Sequence, residues 1–550
     1  MSLTGAGTRA GTSTGTDRGA RTGNWVARYA PPAVAAVVML ALGLWGLVRQ
    51  NSMGNDEVAT KYAATLSLSQ LAHLLSNLDA VHGTYYLIMH VWVTLGSSPA
   101  MLRVPSLIAM VAGAAMIAVT GTRLTGSGLA GLFSGVIMAL TPSISYYAQT
   151  ARSYALVLAC VVGATLALMR VLQAEASGED SRRLRWWWVL YGALVVLSGY
   201  LNEIALMILA AHAVTVLTAR YGRQAFKHFL VTAVVSSVLV LPLALLSVRE
   251  RAAVGWIGRP GIRDVGILFH DYFGGTTLIS FIVFIFAVAA VLPPRGWQWR
   301  HWRERIRNGA PADDAHAAWW ERGGVSLPSV ALPLLVLPAG LLMAESVVLH
   351  PLYVDRYVLY GEAGAALLAG AGCYRVGQWL VRQGGQRLGS AASRRMLLLV
   401  APGVVACLCA VVLNLGTQQK IRLPQRSQFD FGTSSAYVGV HARPGDGVLF
   451  INSFYRKARL GYPADFRDVT DFAMAKSPQQ VGTYNGTDKA LPAVESLMLR
   501  YRRIWVVGNV PSAGLSSLQM RDESLLLIRD YRLAAKKQAR NVAVTLWVRQ

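Results

Sequence analysis

A chain of 550 residues that is 54% hydrophobic, with a mean hydropathy of +0.40, carries too much apolar matter for an ordinary soluble globule. Its net charge of +24 is spread over the segments between apolar runs and comes with no nucleic-acid-binding motif, so a nucleic-acid partner is excluded. The four cysteines, Cys160, Cys373, Cys407 and Cys409, fall in or beside apolar runs and form neither a disulfide framework nor a zinc spacing.

Residues 1–24 are rich in Gly, Thr, Ser and Arg without apolar periodicity, and a disordered tail is expected there. A bilayer core about 30 Å thick needs roughly 20 helical residues to cross it. Runs that meet or approach this length stand at 30–48, 104–120, 129–144, 154–172, 186–201, 204–217, 229–246, 276–293, 330–349, 357–373 and 396–415. The expected fold class is therefore an all-α polytopic membrane protein of about 11 transmembrane helices, with residues 25–415 as its membrane domain.

The loop 49–102 behind the first span holds two further apolar segments that are expected to lie along the membrane surface. In 58–78, Leu66, Leu68, Leu71, Leu74, Leu75 and Leu78 recur at near-helical spacing. Residues 83–95 are too short to cross and contain His90. Leaving 83–95 out of the span count fixes the parity, which basic residues test, since Lys and Arg gather in short cytoplasmic loops. With the N-terminus inside, the inner segments hold Arg9, Arg18, Arg21 and Arg28; Arg182, Arg183 and Arg185; Arg220, Arg223 and Lys227; Arg295, Arg300, Arg303, Arg305 and Arg307; and Arg375, Arg382, Arg387, Arg394 and Arg395. The outer loop 249–263, with four Arg, is the exception.

Residues 416–550 change character and are expected to form an extracytoplasmic α/β domain, with strands at 447–451, 504–507 and 542–548 and helices at 493–501 and 516–531. From 418 onward, 20 Lys and Arg face 10 acidic residues, a balance suited to anionic lipid head groups. Asp446, in Arg443-Pro444-Gly445-Asp446-Gly447, reads as a turn residue.

Sorted by side, polar residues collect at the outer ends of the spans: Asp56, Glu57, Lys61, Tyr62, His82 and Arg103; Gln149, Arg152 and Tyr154; Asn202 and Glu203; His270, Asp271 and Tyr272; His350, Tyr353, Asp355, Arg356 and Tyr357. They are expected to line one cavity open to the outside. A carboxylate at a membrane surface is tolerated but rarely idle.

The order of Asn55-Asp56-Glu57, His82-Gly83-Thr84-Tyr85-Tyr86-Leu87, Arg103-Val104-Pro105-Ser106, Gln149 to Leu156 and Asp355-Arg356-Tyr357 resembles the membrane-embedded GT-C glycosyltransferases. The likeness is to the group that includes protein O-mannosyltransferases, the aminoarabinose transferase of lipid A and bacterial family 39 enzymes. It covers about residues 25–415, and His82-Gly83-Thr84 stands where relatives often have His-Pro-Pro or Lys-Pro-Pro.

The resemblance implies a polyprenyl-phosphate-linked sugar as donor and a hydroxyl acceptor on a protein, a glycolipid or an exported natural product. It implies Asp56 as the catalytic base, with Glu57 its neighbour in the catalytic pair. Arg152, Arg356 and Arg103 are expected to bind the donor phosphate. Lys61, His82, Tyr86, Gln149, Tyr154, Glu203, His270 and Tyr357 are expected to line the substrate cavity. A phosphate leaving group needs no protonation, which favours a single inverting displacement; the Asp-Glu pair favours mannose as the sugar. The outer loops carry no Asp-x-Asp cluster, so neither metal nor other cofactor is expected. The rival reading is a transporter or flippase of lipid-linked sugars, for which internal repeats and helices broken at the midplane would be the signature.

Overall fold

The computed structural model describes residues 16–49, 52–176, 181–219, 222–250, 254–292, 324–384, 392–508 and 527–550. Helix α1 (Thr16–Arg49) leads into the first loop, where α2 (Asn55–Thr65), α3 (Leu68–Asn77) and α4 (Gly83–Trp92) are each too short to cross a bilayer. Then come α5 (Pro99–Thr125), α6 (Gly128–Leu140), α7 (Pro142–Tyr147), α8 (Tyr154–Ala176), α9 (Ser181–Leu201), α10 (Ile208–Ala219) and α11 (Gly222–Arg249). The membrane part closes with α12 (Ile262–Phe273), α13 (Thr277–Val291), α14 (Leu327–Val348), α15 (Glu362–Gly384) and α16 (Ala392–Lys420).

All eleven expected spans are helical over most of their described residues, but not all are single straight helices. Seven among the described residues are long and apolar enough to cross a membrane alone: α1, α5, α8, α9, α11, α14 and α16. Helices α12 and α13 meet at a 71° bend through the positive-φ pair Gly274 and Gly275, and count as an eighth span if joined. The expected span 129–144 is two helices. Thr141 leaves α6 with extended backbone, and Pro142, which has no amide hydrogen to give, starts α7 in its first turn. The 204–217 run opens with a 3-10 turn over Glu203–Met207 before α10. The stretch 16–24, expected as tail, lies within α1, and residues 1–15 fall outside the described residues. So do Arg9, Arg220, Arg387 and the arginines from 295 to 307.

Close helix contact sets the bundle core, because lipid supplies no hydrophobic drive to press helices together and small residues let backbones approach. A Cβ on Gly370 of α15 would lie 2.2 Å from the Ser134 nitrogen of α6, and one on Gly131 of α6 would lie 2.3 Å from the Ala118 oxygen of α5. Helix α15 is buried continuously from Glu362 to Cys373, so it is the axis around which α5, α6, α13, α14 and α16 pack.

The C-terminal domain holds a five-stranded sheet in the order β2-β1-β5-β7-β6, from β1 (Asp446–Phe450), β2 (Val469–Asp471), β5 (Arg503–Gly508), β6 (Tyr531–Ala539) and β7 (Val542–Arg549); β3 (Met474–Lys476) pairs with β4 (Thr487–Asp488). Strands β2, β1 and β5 run parallel, and β5, β7 and β6 antiparallel. The three expected strands are β1, β5 and β7 within a residue at each end, and the helix expected at 493–501 is Leu491–Met498. Most of the helix expected at 516–531 lies outside the described residues, and Tyr531 instead opens β6. Asp446 accepts from the Arg443 amide, Arg503 and the Trp505 indole, so it closes its turn and anchors the sheet.

This domain sits on the first loop. Ser52 donates to Asp430 at 2.6 Å, the Met53 amide to the Tyr462 hydroxyl at 2.6 Å, and Lys61 to the Gly461 carbonyl at 2.7 Å.

Candidate active site

Adjacent residues of a helix point about 100° apart, so two neighbouring carboxylates at the start of α2 must face different surroundings. Glu57 turns inward. Its Oε1 accepts from Arg103 Nε at 2.7 Å and from the Ala151 amide at 3.0 Å, and its Oε2 from Arg103 Nη2 at 2.8 Å and the Gly54 amide at 3.2 Å. Arg426, from the start of the C-terminal domain, stands 3.6 Å away. Burial alone would raise the Glu57 carboxyl, yet the charge and hydrogen bonds of Arg103, with Arg426 and the Ala151 amide, bring it down to about 2.

Arg103 is fully buried at the start of α5 and also donates to the Ser52 carbonyl at 2.8 Å. It was expected on the donor phosphate, but it presents no surface to a ligand. A guanidinium so enclosed needs its carboxylate and spends its donors there.

Asp56 faces the other way. Its side chain keeps 42% of its surface accessible, and its contacts are Asn55 Nδ2 at 3.3 Å and Arg152 Nε at 3.8 Å. Burial pushes its carboxyl up, but Arg152, Arg356 and His82 overcome this together, Asp79 working against them, and the result is below the ordinary value. Asp56 is thus an ionised acceptor with an open face.

Arg152 belongs to a strap between α7 and α8 whose carbonyls have no helical partners and are met by side chains instead. Ser106 donates to Thr150 and Arg152 carbonyls, Thr60 to that of Ala151 and Arg426 to that of Gln149. So held, Arg152 donates to the Tyr86 hydroxyl at 3.1 Å and meets His82 Nε2 at 3.3 Å, while its Nε, turned to Asp56, is buried without a hydrogen bond. His82 is neutral near pH 7, since burial and then Arg152 push it down to about 4.

Arg356 sits in the 3-10 turn Asp355–Gly361 before α15. It donates through Nε to the Tyr154 hydroxyl at 3.0 Å and lies 5.5 to 5.8 Å from the ring centres of Tyr357, Trp256 and Tyr154. Three π-faces hold the cation while leaving its outer N–H groups without partners among the described residues.

The structure therefore brings Asp56, His82, Tyr86, Arg152, Tyr154, Arg356 and Tyr357 together, with Glu57 and Arg103 as a buried brace behind them. Four expected lining residues go elsewhere. Gln149 is fully buried against Gly46, donating to the Leu42 carbonyl; Lys61 serves the domain contact; Glu203 has Ser247, Glu250 and Glu345 for neighbours; and His270 meets Ser280 at 3.3 Å.

The sequence reading missed Asp79, Arg426, Lys457 and Tyr484. Asp79 takes a left-handed backbone, φ 60°, which costs a non-glycine residue about 1–3 kcal/mol and persists only where the surroundings demand it. Here it turns Oδ2 to the hydroxyls of Tyr484 at 2.7 Å and Tyr86 at 2.9 Å. Burial would raise this carboxyl too, but His82, Arg152 and the two hydroxyls lower it. Lys457 reaches Asn55 Oδ1 at 2.7 Å. Among the described residues, no three His, Cys, Asp or Glu side chains gather as a metal-binding group.

No family model matches the sequence, and no curated protein matches it. Solved structures do resemble the fold. The apo structure of ArnT from Cupriavidus metallidurans aligns over 96% of this chain and 98% of its own at 14% identity and a TM-score of 0.52. The same protein bound to undecaprenyl phosphate aligns over 95% and 98% at 13% identity and 0.51. The archaeal oligosaccharyltransferase AglB from Archaeoglobus fulgidus, in complex with an inhibitory peptide and a dolichol phosphate, gives 11% identity over 88% of this chain and 70% of its own, with a TM-score of 0.41 that adds no weight. These likenesses do not single out family 39. At such identities what is shared is architecture: this chain has the fold of the ArnT structures, a polytopic membrane helix bundle followed by a sheet-containing C-terminal domain.

Proposed function

We propose that this chain is a glycosyltransferase that moves a sugar, mannose by our reading, from a polyprenyl-phosphate donor to an acceptor hydroxyl at the outer face of the cytoplasmic membrane. The N-terminus is then cytoplasmic and the C-terminal domain extracytoplasmic. One observation carries the reading: an ionised carboxylate with an open face, Asp56, with the unbonded Nε of Arg152 turned to it and the Arg356 guanidinium acting on its charge. The ligand in one ArnT structure, undecaprenyl phosphate, is the class of lipid phosphate such cations suit.

The step follows from these groups. Asp56 accepts the acceptor's proton as its oxygen bonds to the anomeric carbon. The bond from that carbon to the phosphate oxygen breaks with its electron pair, and the phosphodiester departs as a phosphomonoester carrying one more negative charge. Arg152 and Arg356 bind that growing charge. The acceptor is a hydroxyl of a secreted protein, a cell-envelope glycolipid or an exported natural product. Glu57 and Arg103 are positioning residues that fix α2 against the Arg152 strap.

The test is transfer from radiolabelled polyprenyl phosphate mannose in membranes carrying wild type or Asp56→Asn. We expect the variant to be slower by about 100 to 10,000-fold, the range for a lost general base. Transfer at the wild-type rate removes Asp56 as base. Carrier translocation in vesicles with no consumption of the sugar replaces the enzyme by a flippase.

A further inference from the structure

The recess around Asp56 is not enclosed by membrane helices alone. The C-terminal domain lays one short element across α2, the 3-10 turn Ser453–Arg456 running into the helical turn Lys457–Gly461. Asn452 caps this element through the Phe454 amide at 2.8 Å. Arg456 ties it back to its own domain through Asp471 and Asp488, and Lys61 and the Met53 amide tie its far end to the first loop. Between those anchors Lys457 projects into the site. Its Nζ donates to Asn55 Oδ1, next to Asp56, and lies 4.5 Å from the ring centre of Phe454 and 5.5 Å from that of Tyr484.

An ammonium carries three donors and Asn55 takes one. Resting on the donor reading above, we propose that Lys457 is the third cation of the lipid-phosphate site, so that the membrane bundle holds an incomplete site until the C-terminal domain is seated on the first loop. No other Lys side chain is shown by the structure against Asp56 among the described residues. The chemistry asks for such a group. As the sugar leaves, the phosphate oxygen that held it gains the bonding electrons, and a cation fixed beforehand at that oxygen stabilises the transition state more than the ground state.

The groups facing Lys457 decide its charge. Burial pushes it down; Asp56 on α2 and Asp79 before α4 pull it up; Arg152 of the strap pushes it down, and it settles at about 8. The Tyr484 and Phe454 rings and the neutral His82 add no net charge, and Arg456 is committed to its aspartates. Lys457 is thus charged below about pH 8 and loses its proton above it. A phosphomonoester has its second pKa near 6, so the ligand's own charge is constant across the same interval.

The experiment measures binding of undecaprenyl phosphate to the full chain in detergent at pH 7.5 and 9.5. Wild type is expected to bind at least tenfold more weakly at pH 9.5. Lys457→Met should bind at least tenfold more weakly than wild type already at pH 7.5, with little further change on raising the pH. Lys457→Arg, which keeps its charge, should match wild type at pH 7.5 and hold its affinity at pH 9.5, and this rescue also rules out a folding defect as the cause. If Lys457→Met keeps wild-type affinity and the wild-type pH dependence, the proposal is overturned while the donor reading stands. If wild type itself binds no undecaprenyl phosphate, the donor reading falls and this falls with it.

Discussion

Asp56 and Glu57 are neighbours in sequence and belong to two opposite kinds of place. The Glu57 carboxylate itself is fully engaged: two contacts from Arg103, two from backbone amides, a second arginine nearby and 3% of its surface exposed. The recess around Asp56 is incomplete by the same accounting, with an arginine nitrogen buried and unbonded in front of an accessible carboxylate. An unmet buried donor costs about 1–3 kcal/mol, so a fold keeps one where something else meets it. On the reading proposed above, the engaged carboxylate is structure and the open one beside it is where the ligand binds.

The sharpest way to break that contrast is to treat the two carboxylates alike. Asp56→Asn should lower transfer by about 100 to 10,000-fold and leave thermal stability in detergent close to wild type, because few protein bonds are lost. Glu57→Gln should do the reverse in kind. It leaves Arg103 buried with its charge uncompensated, at a cost of about 3–5 kcal/mol that a melting curve reads as a large drop. Replacing both partners, Glu57→Met with Arg103→Met, should recover much of that loss, since well-packed apolar residues often substitute for a buried ion pair. A melting temperature for Glu57→Gln equal to wild type would mean the enclosure is not a brace.

Acid offers a subtler version of the same experiment. The Glu57 carboxyl ordinarily titrates near 4.5 and is held at about 2. Because the folded value is the lower one, its stabilisation is complete above pH 4.5 and is lost as pH falls toward 2. At ~1.4 kcal/mol per pH unit the full loss is about 3.5 kcal/mol. Stability measured from pH 6 down to pH 3 should therefore fall more steeply in wild type than in Glu57→Gln, and parallel curves would contradict the sign.

How much of this was legible beforehand differs with the physics involved. Span positions follow from length and apolarity, which are local, and all eleven runs are helices. The break at Pro142 was also local but was overridden by counting residues 129–144 as one apolar run. Strand β6 was missed because its sequence, Tyr531 to Ala539, is exposed on most positions at the sheet edge and shows no alternation. The site was legible only in part. Order along the chain gathered Asp56, Arg152 and Arg356, but which way a polar residue at a helix end turns is a question of rotation about that helix, and this separates Asp56 from Glu57. It also sends Gln149 into packing against Gly46. Lys457 and Tyr484 lie some 400 positions from their partners, Asn55 and Asp79, and no spacing rule connects them.

The smallest expected effect tests whether Asp79 belongs with the enclosure or with the recess. It resembles Glu57 in accepting from fixed hydroxyls, and Asp56 in facing Arg152 and His82. Tyr484→Phe removes one of its two hydroxyl donors and leaves Tyr86, so the carboxylate is weakened in its support and not orphaned. A hydrogen bond to a charged acceptor is worth about 1.5–3 kcal/mol when its loss leaves the acceptor unmet, and nearer 1 kcal/mol when a second donor remains. If Asp79 is a brace, that loss appears in the melting temperature with transfer almost unchanged. If Asp79 orients Arg152 through Tyr86, it appears as a severalfold drop in transfer at constant stability, and the strained backbone at residue 79 has its explanation in the site.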